Sequence, residues 1–326
     1  MNDILKKVPG LMWGSLLMVM FFVIFAPNYT NQRNIINILQ NSAIIIIVSM
    51  GMGLTILSGQ IDMSIGGVMT ASAVISAMYF AHIQSPTALD ILVTFLIGIG
   101  VGSVFGFLNG ILIARYKFNF WLVTFAMMSI SYGIAQVVTG GKVISGFSKS
   151  FRNVTRFSLE GIPMVVYIAV IVSLLMFFLT YKTKFGMHMY AVGASEKCAA
   201  QSGIRVERIR FLIYLLSGLL SGFGGVLLVS KTNFASANVA SGQEFTAMAN
   251  VIIGGISFDG GKGGLLGAFA GSIILTAILN GLQLMGLSNY WQQVFTGIFI
   301  LLIIIIDVIS QRMKKTKNTR RVYKHA

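Results

Sequence analysis

Residues 57–67 read LSGQIDMSIGG and follow directly on IIIIVSMGMGLTI at 44–56. One acid, Asp62, with Gly59, Gly66 and Gly67 around it, interrupts an otherwise apolar block. An ionised carboxylate at the centre of a membrane helix costs about 2.5–3.5 kcal/mol even on insertion-based scales. Irregular backbone at membrane depth survives only inside protein or against a water-filled cavity. Two readings follow. Either a helix is broken beside a polar passage lined by Asp62 and Ser64, or Asp62 lies in a loop at the inner interface and caps a helix that starts near Ser64. Spacing alone leaves both open.

The rest of the chain sets the class. Of 326 residues, 56% are hydrophobic and 10% are charged, whereas a soluble domain carries about 25% charged residues. Solid apolar runs such as 11–26, 91–114, 164–179 and 295–306 suit helices, not the alternating strands of a barrel. The expected fold is all-α: a polytopic membrane protein of about ten transmembrane helices. They fall near 11–26, 38–58, 64–83, 89–114, 120–140, 162–181, 209–230, 245–257, 264–285 and 291–309. The eighth is short for a full crossing and reads as partly re-entrant. Lys6 and Lys7 before the first run resemble a signal peptide, but Ala26-Pro27-Asn28 is a poor cleavage site, so the run is kept as a first span.

With the N-terminus in the cytoplasm, 18 of the 24 Lys and Arg residues fall inside and 6 outside. The positive-inside rule then places both termini in the cytoplasm. The net charge of +15 is therefore read as orientation and contact with anionic lipids, including a tail of seven basic residues over 312–324. Nucleic-acid binding is not expected. The single Cys198 excludes an internal disulfide, and His82, His188 and His325 are scattered, so neither a metal nor a cofactor is expected.

The whole chain, 1–326, reads as one transmembrane domain with an internal echo. LSGQID at 57–62 returns as ASGQEF at 240–245. FLNGILIARYKFNFW at 107–121 returns as ILNGLQLMGLSNYW at 278–291. The order is the same and the direction across the membrane opposite, as inverted repeats require. The repeat halves run from about 28 to 140 and from 205 to 309. Glu244 holds the place of Asp62 in the second half, either on the path or as a first-turn acid favoured by the helix dipole. Asn109 and Asn280, each in Leu-Asn-Gly, are amides inside apolar helices, serving as interhelical glue or as a hydrogen-bonding edge for a hydroxylated solute. Asn250 and Gln283 complete the candidate solute path. GGISFDGGKGG at 254–264 is not a phosphate loop, because it lacks the first glycine, the hydroxyl after the lysine and the preceding strand.

The sequences LSGQIDMSIGGVM, YAVGASEKCAAQSGIRVERIRFLIYLLSGLLSGFGGVLL and VIIGGISFDGGKGGLLGAFAGSIILTAILNGLQLMGLSNYWQ resemble the permease subunits of bacterial ABC importers for ribose-type monosaccharides, including autoinducer-2 permeases. The resemblance spans about 28–307. It implies a second permease subunit, identical or not, a cytoplasmic ABC ATPase that hydrolyses ATP in place of this chain, an extracytoplasmic solute-binding protein, and location in the bacterial cytoplasmic membrane. It also implies that the cytoplasmic loop 182–208 couples to the ATPase through Gly193, Ser195, Glu196, Ala200, Gly203 and Arg205. The run Gln243-Glu244-Phe245-Thr246 departs from the family's usual Tyr-Glu-Leu-Asp, which leaves the solute open. The alternative function is an ion-coupled secondary carrier.

Overall fold

The computed structural model describes residues 10–288, 290–298, 301, 302 and 305. The chain begins with α1 (Gly10–Phe25), α2 (Gln32–Leu57), α3 (Ile65–Ala81) and α4 (Ala88–Gly110). A π-helical turn, Ile111–Arg115, extends α4, and α5 (Phe120–Thr139) follows. A cap of short elements comes next: β1 (Ile144–Ser145), α6 (Lys149–Arg156), β2 (Ser158–Leu159) and β3 (Ile162–Pro163). Then come α7 (Met164–Lys182), α8 (Lys184–Ala194), α9 (Glu196–Gln201) and α10 (Val206–Thr232). The last described elements are β4 (Phe234–Ala235), α11 (Gln243–Ile253) and α12 (Leu265–Leu284). Residues 290–298 are also helical, and most of the expected span 291–309 beyond them lies outside the described residues.

Local signals set the ends. Asn31 caps α2 by accepting from the Arg33 N–H, so the helix starts six residues before the expected 38. Thr87 and Asp90 form a reciprocal capping box on α4. Gly140 closes α5 in the left-handed conformation.

Six helices among the described residues are long and apolar enough to cross a membrane: α2, α4 with its π turn, α5, α7, α10 and α12. Three of the expected crossings are shorter, the first being α1 with 16 described residues. At 1.5 Å per residue the 17 residues of α3 reach about 25 Å and the 11 of α11 about 16 Å.

The central element is α2. Every residue from Ser42 to Leu57 is buried, which explains a helix that is hydrophobic on all sides. It packs against α10, α12, α7 and α11, while α10 packs against α4, α3 and α2. The long helix α2 thus lies against α11 and the Asn280-bearing α12, and the long helix α10 against α3 and the Asn109-bearing α4. The α4–α10 seam is made of small residues. Gly98, Gly102, Gly106 and Gly110 recur at every fourth position of α4 and meet Val226, Gly222, Gly218 and Phe211 of α10. A Cβ on Gly102 would collide with the Gly218 carbonyl oxygen and one on Gly218 with the Gly102 carbonyl oxygen; one on Gly106 would lie 2.5 Å from the Tyr214 carbonyl. The backbones touch directly, as in small-residue membrane seams.

At one end of the bundle sits the basic segment 182–210; at the other, α6 folds back as a lid. Its Phe151 is fully buried and stacks on Phe80 with centroids 4.6 Å apart. Ser230 of α10 donates to the Phe151 carbonyl at 2.7 Å.

Candidate functional site

Depth is best measured along α10. Ser217 stands 11 residues from its start and 15 from its end, or about 16 and 22 Å from the two ends. The Ser217 hydroxyl donates to Asp62 Oδ2 at 2.7 Å. Gly51 of α2 lies at the same level, since a Cβ there would be 3.2 Å from Ser217 Cα. After Gly51, α2 runs six more residues toward the basic end. The chain then turns at Gly59 (φ +79°) and climbs back to bring Asp62 beside Ser217. Asp62 therefore lies beside the middle of α10, and α3 starts at that level.

Asp62 is 1% exposed. Its Oδ1 accepts from the Ser64 N–H at 3.0 Å and from the Ser64 hydroxyl. Ser64 Oγ in turn accepts from Asn109 Nδ2 of α4 at 2.9 Å. The Tyr214 hydroxyl reaches the Ile61 carbonyl at 3.4 Å. Asp62 thus makes an Asx-type turn onto Ser64 just ahead of α3, fastened sideways to α4 and α10.

Glu244 comes to the same helix start. It is 3% exposed, in the first turn of α11, and its Oε2 has no hydrogen-bond partner. A Cβ on Gly66 would overlap that oxygen and lie 2.9 Å from both the Ala240 carbonyl and the Tyr132 hydroxyl. The two acids of the sequence echo flank the first turn of α3, where the helix dipole favours negative charge. From here α3 rises toward the α6 lid and α11 descends toward the basic end. Glu244 also lines a cavity of about 680 Å³ with Ser241, Gln243, Thr246, Gln292, Gln293 and Thr296.

The remaining expected path residues are spread out. Asn250 donates to Ser49 Oγ of α2 at 3.1 Å and leaves its Oδ1 without a partner. Asn280 accepts from Asn34 Nδ2 at 2.8 Å and so ties α12 to α2 as interhelical glue. Gln283 is exposed on α12. Sequence reasoning missed Ser217, Tyr214 and Tyr132. The serine had no local signal, since its partner is 155 residues away.

At the basic end, Ser195 accepts from the Cys198 N–H at 3.3 Å and caps the six-residue α9. Gly203 takes φ +81° just after it. Glu196 forms a two-pronged pair with Arg210 of α10, at 2.9 and 2.8 Å; the geometry is the strong, planar kind. Arg205 and Ala200 line a cavity of about 480 Å³ beside that pair. Gly193 sits on the basic end of α2, where a Cβ would collide with the Leu57 carbonyl. Tyr190 donates to the Gly263 carbonyl at 3.1 Å. Burial, and then the neighbouring Tyr181, push its phenol above the ordinary range, so it keeps the proton it donates. Among the described residues no group of three or more His, Cys, Asp and Glu residues is placed to hold a metal ion.

Residues 34–304 match the family model described as branched-chain amino acid transport system / permease component. The ribose import permease protein RbsC of Bacillus subtilis (strain 168) is 34% identical over 309 residues, 94% of each chain. The ribose import permease protein RbsC of Escherichia coli (strain K12) is 30% identical, over 90% of this chain and 91% of its own. The galactose/methyl galactoside import permease protein MglC of Escherichia coli (strain K12) is 30% identical over 92% of this chain and 94% of its own.

Proposed function

Since the chain belongs to the branched-chain amino acid transport system / permease component family, we propose that it is the membrane permease subunit of an ABC importer for a monosaccharide or related hydroxylated solute. A chain of this family with six membrane-length helices is a multi-pass inner-membrane protein. Its homologues are permease subunits and not themselves enzymes. ATP is hydrolysed on a separate cytoplasmic ABC ATPase, and an extracytoplasmic binding protein delivers the solute. A second permease subunit completes the pathway. The basic end faces the cytoplasm with both termini, and lipid headgroups meet its lysines and arginines.

The observation that carries this reading is full-length likeness to ribose and galactose import permeases. The meeting of α3 and α11 at mid-depth supports it. Two shortened helices of opposite direction, with Asp62 and Glu244 at their starts, fit inverted repeats around a central solute site. The repeat halves at about 28–140 and 205–309 share the same element order: long helix, Ser-Gly-Gln break, shorter helix, Leu-Asn-Gly helix. Amides, hydroxyls and one carboxylate around the Glu244 cavity suit sugar hydroxyls, and among the described residues no basic side chain lines it. Movement between inward- and outward-open arrangements is a biased two-state equilibrium.

Purification from native membranes in mild detergent is expected to yield an ABC ATPase in near-stoichiometric amount. Uptake of a labelled pentose or hexose should stop when ATP is depleted and continue when a protonophore collapses the membrane potential. The reverse sensitivity would establish the ion-coupled carrier instead.

The Glu196–Arg210 fork gives a second test. Glu196→Lys places two cations together and frees α9 from α10. We expect uptake to fall about tenfold, within the usual range of coupling energies, with insertion unchanged. Adding Arg210→Glu should restore it. Normal uptake by Glu196→Lys alone, or failure of the reversed pair to rescue, removes this contact from the coupling device.

A further inference from the structure

The segment GGISFDGGKGG, residues 254–264, has no role in the reading above, yet it occupies a particular place. It leaves the end of α11 and meets two other backbones with almost no side chains between them. The Gly261 N–H donates to the Leu57 carbonyl at the end of α2, at 2.8 Å. A Cβ on Gly193, near the end of α8, would collide with that same carbonyl and lie 2.7 Å from Gly261 N. One on Gly260 would lie 2.7 Å from Gly59 N and 2.8 Å from the Gly193 carbonyl; one on Gly261 would lie 2.7 Å from Ala194 Cα. Three strands of chain thus converge on glycine: the approach to α9, the turn that leads to Asp62, and the exit of α11.

Two features make this convergence stiff. Gly260 and Gly261 hold φ +78° and +66°, where a side chain would strain the backbone. Backbone packed on backbone has no rotamers with which to absorb a displacement, and packed contacts switch rather than deform continuously. The Tyr190–Gly263 hydrogen bond fastens α8 to the same loop. The consequences run upward on both sides. Leu57 is five residues before Asp62, whose turn starts α3. Residue 254 directly follows α11, whose other end carries Glu244.

We propose that this glycine junction is the mechanical joint of the transporter, which carries movement of the α8–α9 segment to both shortened helices at once. Gly193, Gly260 and Gly261 act as positioning residues. The inference rests on the permease reading, because it needs an ATPase to move α9.

The test uses the full transporter, reconstituted with its ATPase and binding protein. Gly193→Ala is expected to lose about tenfold in solute-stimulated hydrolysis and in uptake, each measured per assembled transporter. Gly133→Ala, on α5 with nothing within 4 Å of the added carbon, is expected to behave as wild type. Wild-type stimulation in Gly193→Ala overturns the proposal. Should that variant fail to assemble, a second measurement decides. Spin labels at Lys197→Cys and Lys262→Cys, both exposed, in a Cys198→Ser background, should report the same separation with and without a trapped ATP analogue. A change in that separation means the parts slide, and overturns the joint. If the unaltered chain retains no ATPase, the permease reading and the joint fall together; if it transports normally while Gly193→Ala does too, only the joint falls.

Discussion

Gly218→Leu leaves almost no folded protein in the membrane, while Gly100→Leu on the neighbouring helix is accepted. This is the largest effect we expect from a single change. Gly218 meets Gly102 backbone to backbone, and even a Cβ at either position would collide with the carbonyl oxygen opposite. Leucine adds four carbons where one does not fit. Overpacking in cores costs about 1–3 kcal/mol when side chains can shift. Here the obstacle is main chain, and relief requires α4 and α10 to part along their whole seam, so the loss should exceed about 3 kcal/mol. Gly100 is exposed on the outer face of α4, with nothing within 4 Å of an added carbon. There leucine replaces a poor helix former by a good one on an exposed face. Detergent-solubilised yield and melting temperature check both variants. Equal behaviour of the two would mean that the α4–α10 seam does not hold the bundle together.

That seam shows what the sequence disclosed and what it did not. Apolar runs and caps placed most helices to within a few residues, because hydrocarbon length and capping chemistry act locally. The glycines at 98, 102, 106 and 110 were visible at their four-residue spacing, but an apolar run conceals which of its faces is the contact. Depth was the harder matter. Asp62 and Glu244 were recognisable as paired acids, but their spacing left open whether each lines a path or starts a helix. Only the fold brings both to the start of α3, since the return at Gly59 reverses direction in a few residues. Partners distant in sequence were equally hidden. Glu196 stands nine residues from Arg205 and fourteen from Arg210, and a helix turn in between gives the contact to the latter. Asn280 likewise found Asn34, 246 residues away.

Asp62→Leu is expected to lower both stability and uptake, and to lower them together. The carboxylate accepts the Ser64 N–H, the Ser64 hydroxyl and the Ser217 hydroxyl. Leucine is close in size but accepts nothing, so three donors lose their acceptor in a site with about 1% exposure. Each buried polar group left unsatisfied costs about 1–3 kcal/mol, which brings the sum to several kcal/mol even if Ser64 and Ser217 turn toward other carbonyls. The return loop would no longer be held at mid-depth, and α3 would lose the turn that starts it. Asp62→Asn keeps one oxygen for Ser64, and its amide can donate to a rotated Ser217 hydroxyl; a loss of about 1 kcal/mol is expected. Ser217→Ala leaves Asp62 Oδ2 without its donor and is expected to cost about 1–3 kcal/mol, still less than the leucine. A melting temperature lower for Asp62→Leu than for Asp62→Asn or Ser217→Ala, with uptake following it, identifies Asp62 as the residue that positions the broken helix. An Asp62→Leu protein that melts like wild type but does not transport would reverse that assignment, because only direct contact with the moving solute would then account for the loss.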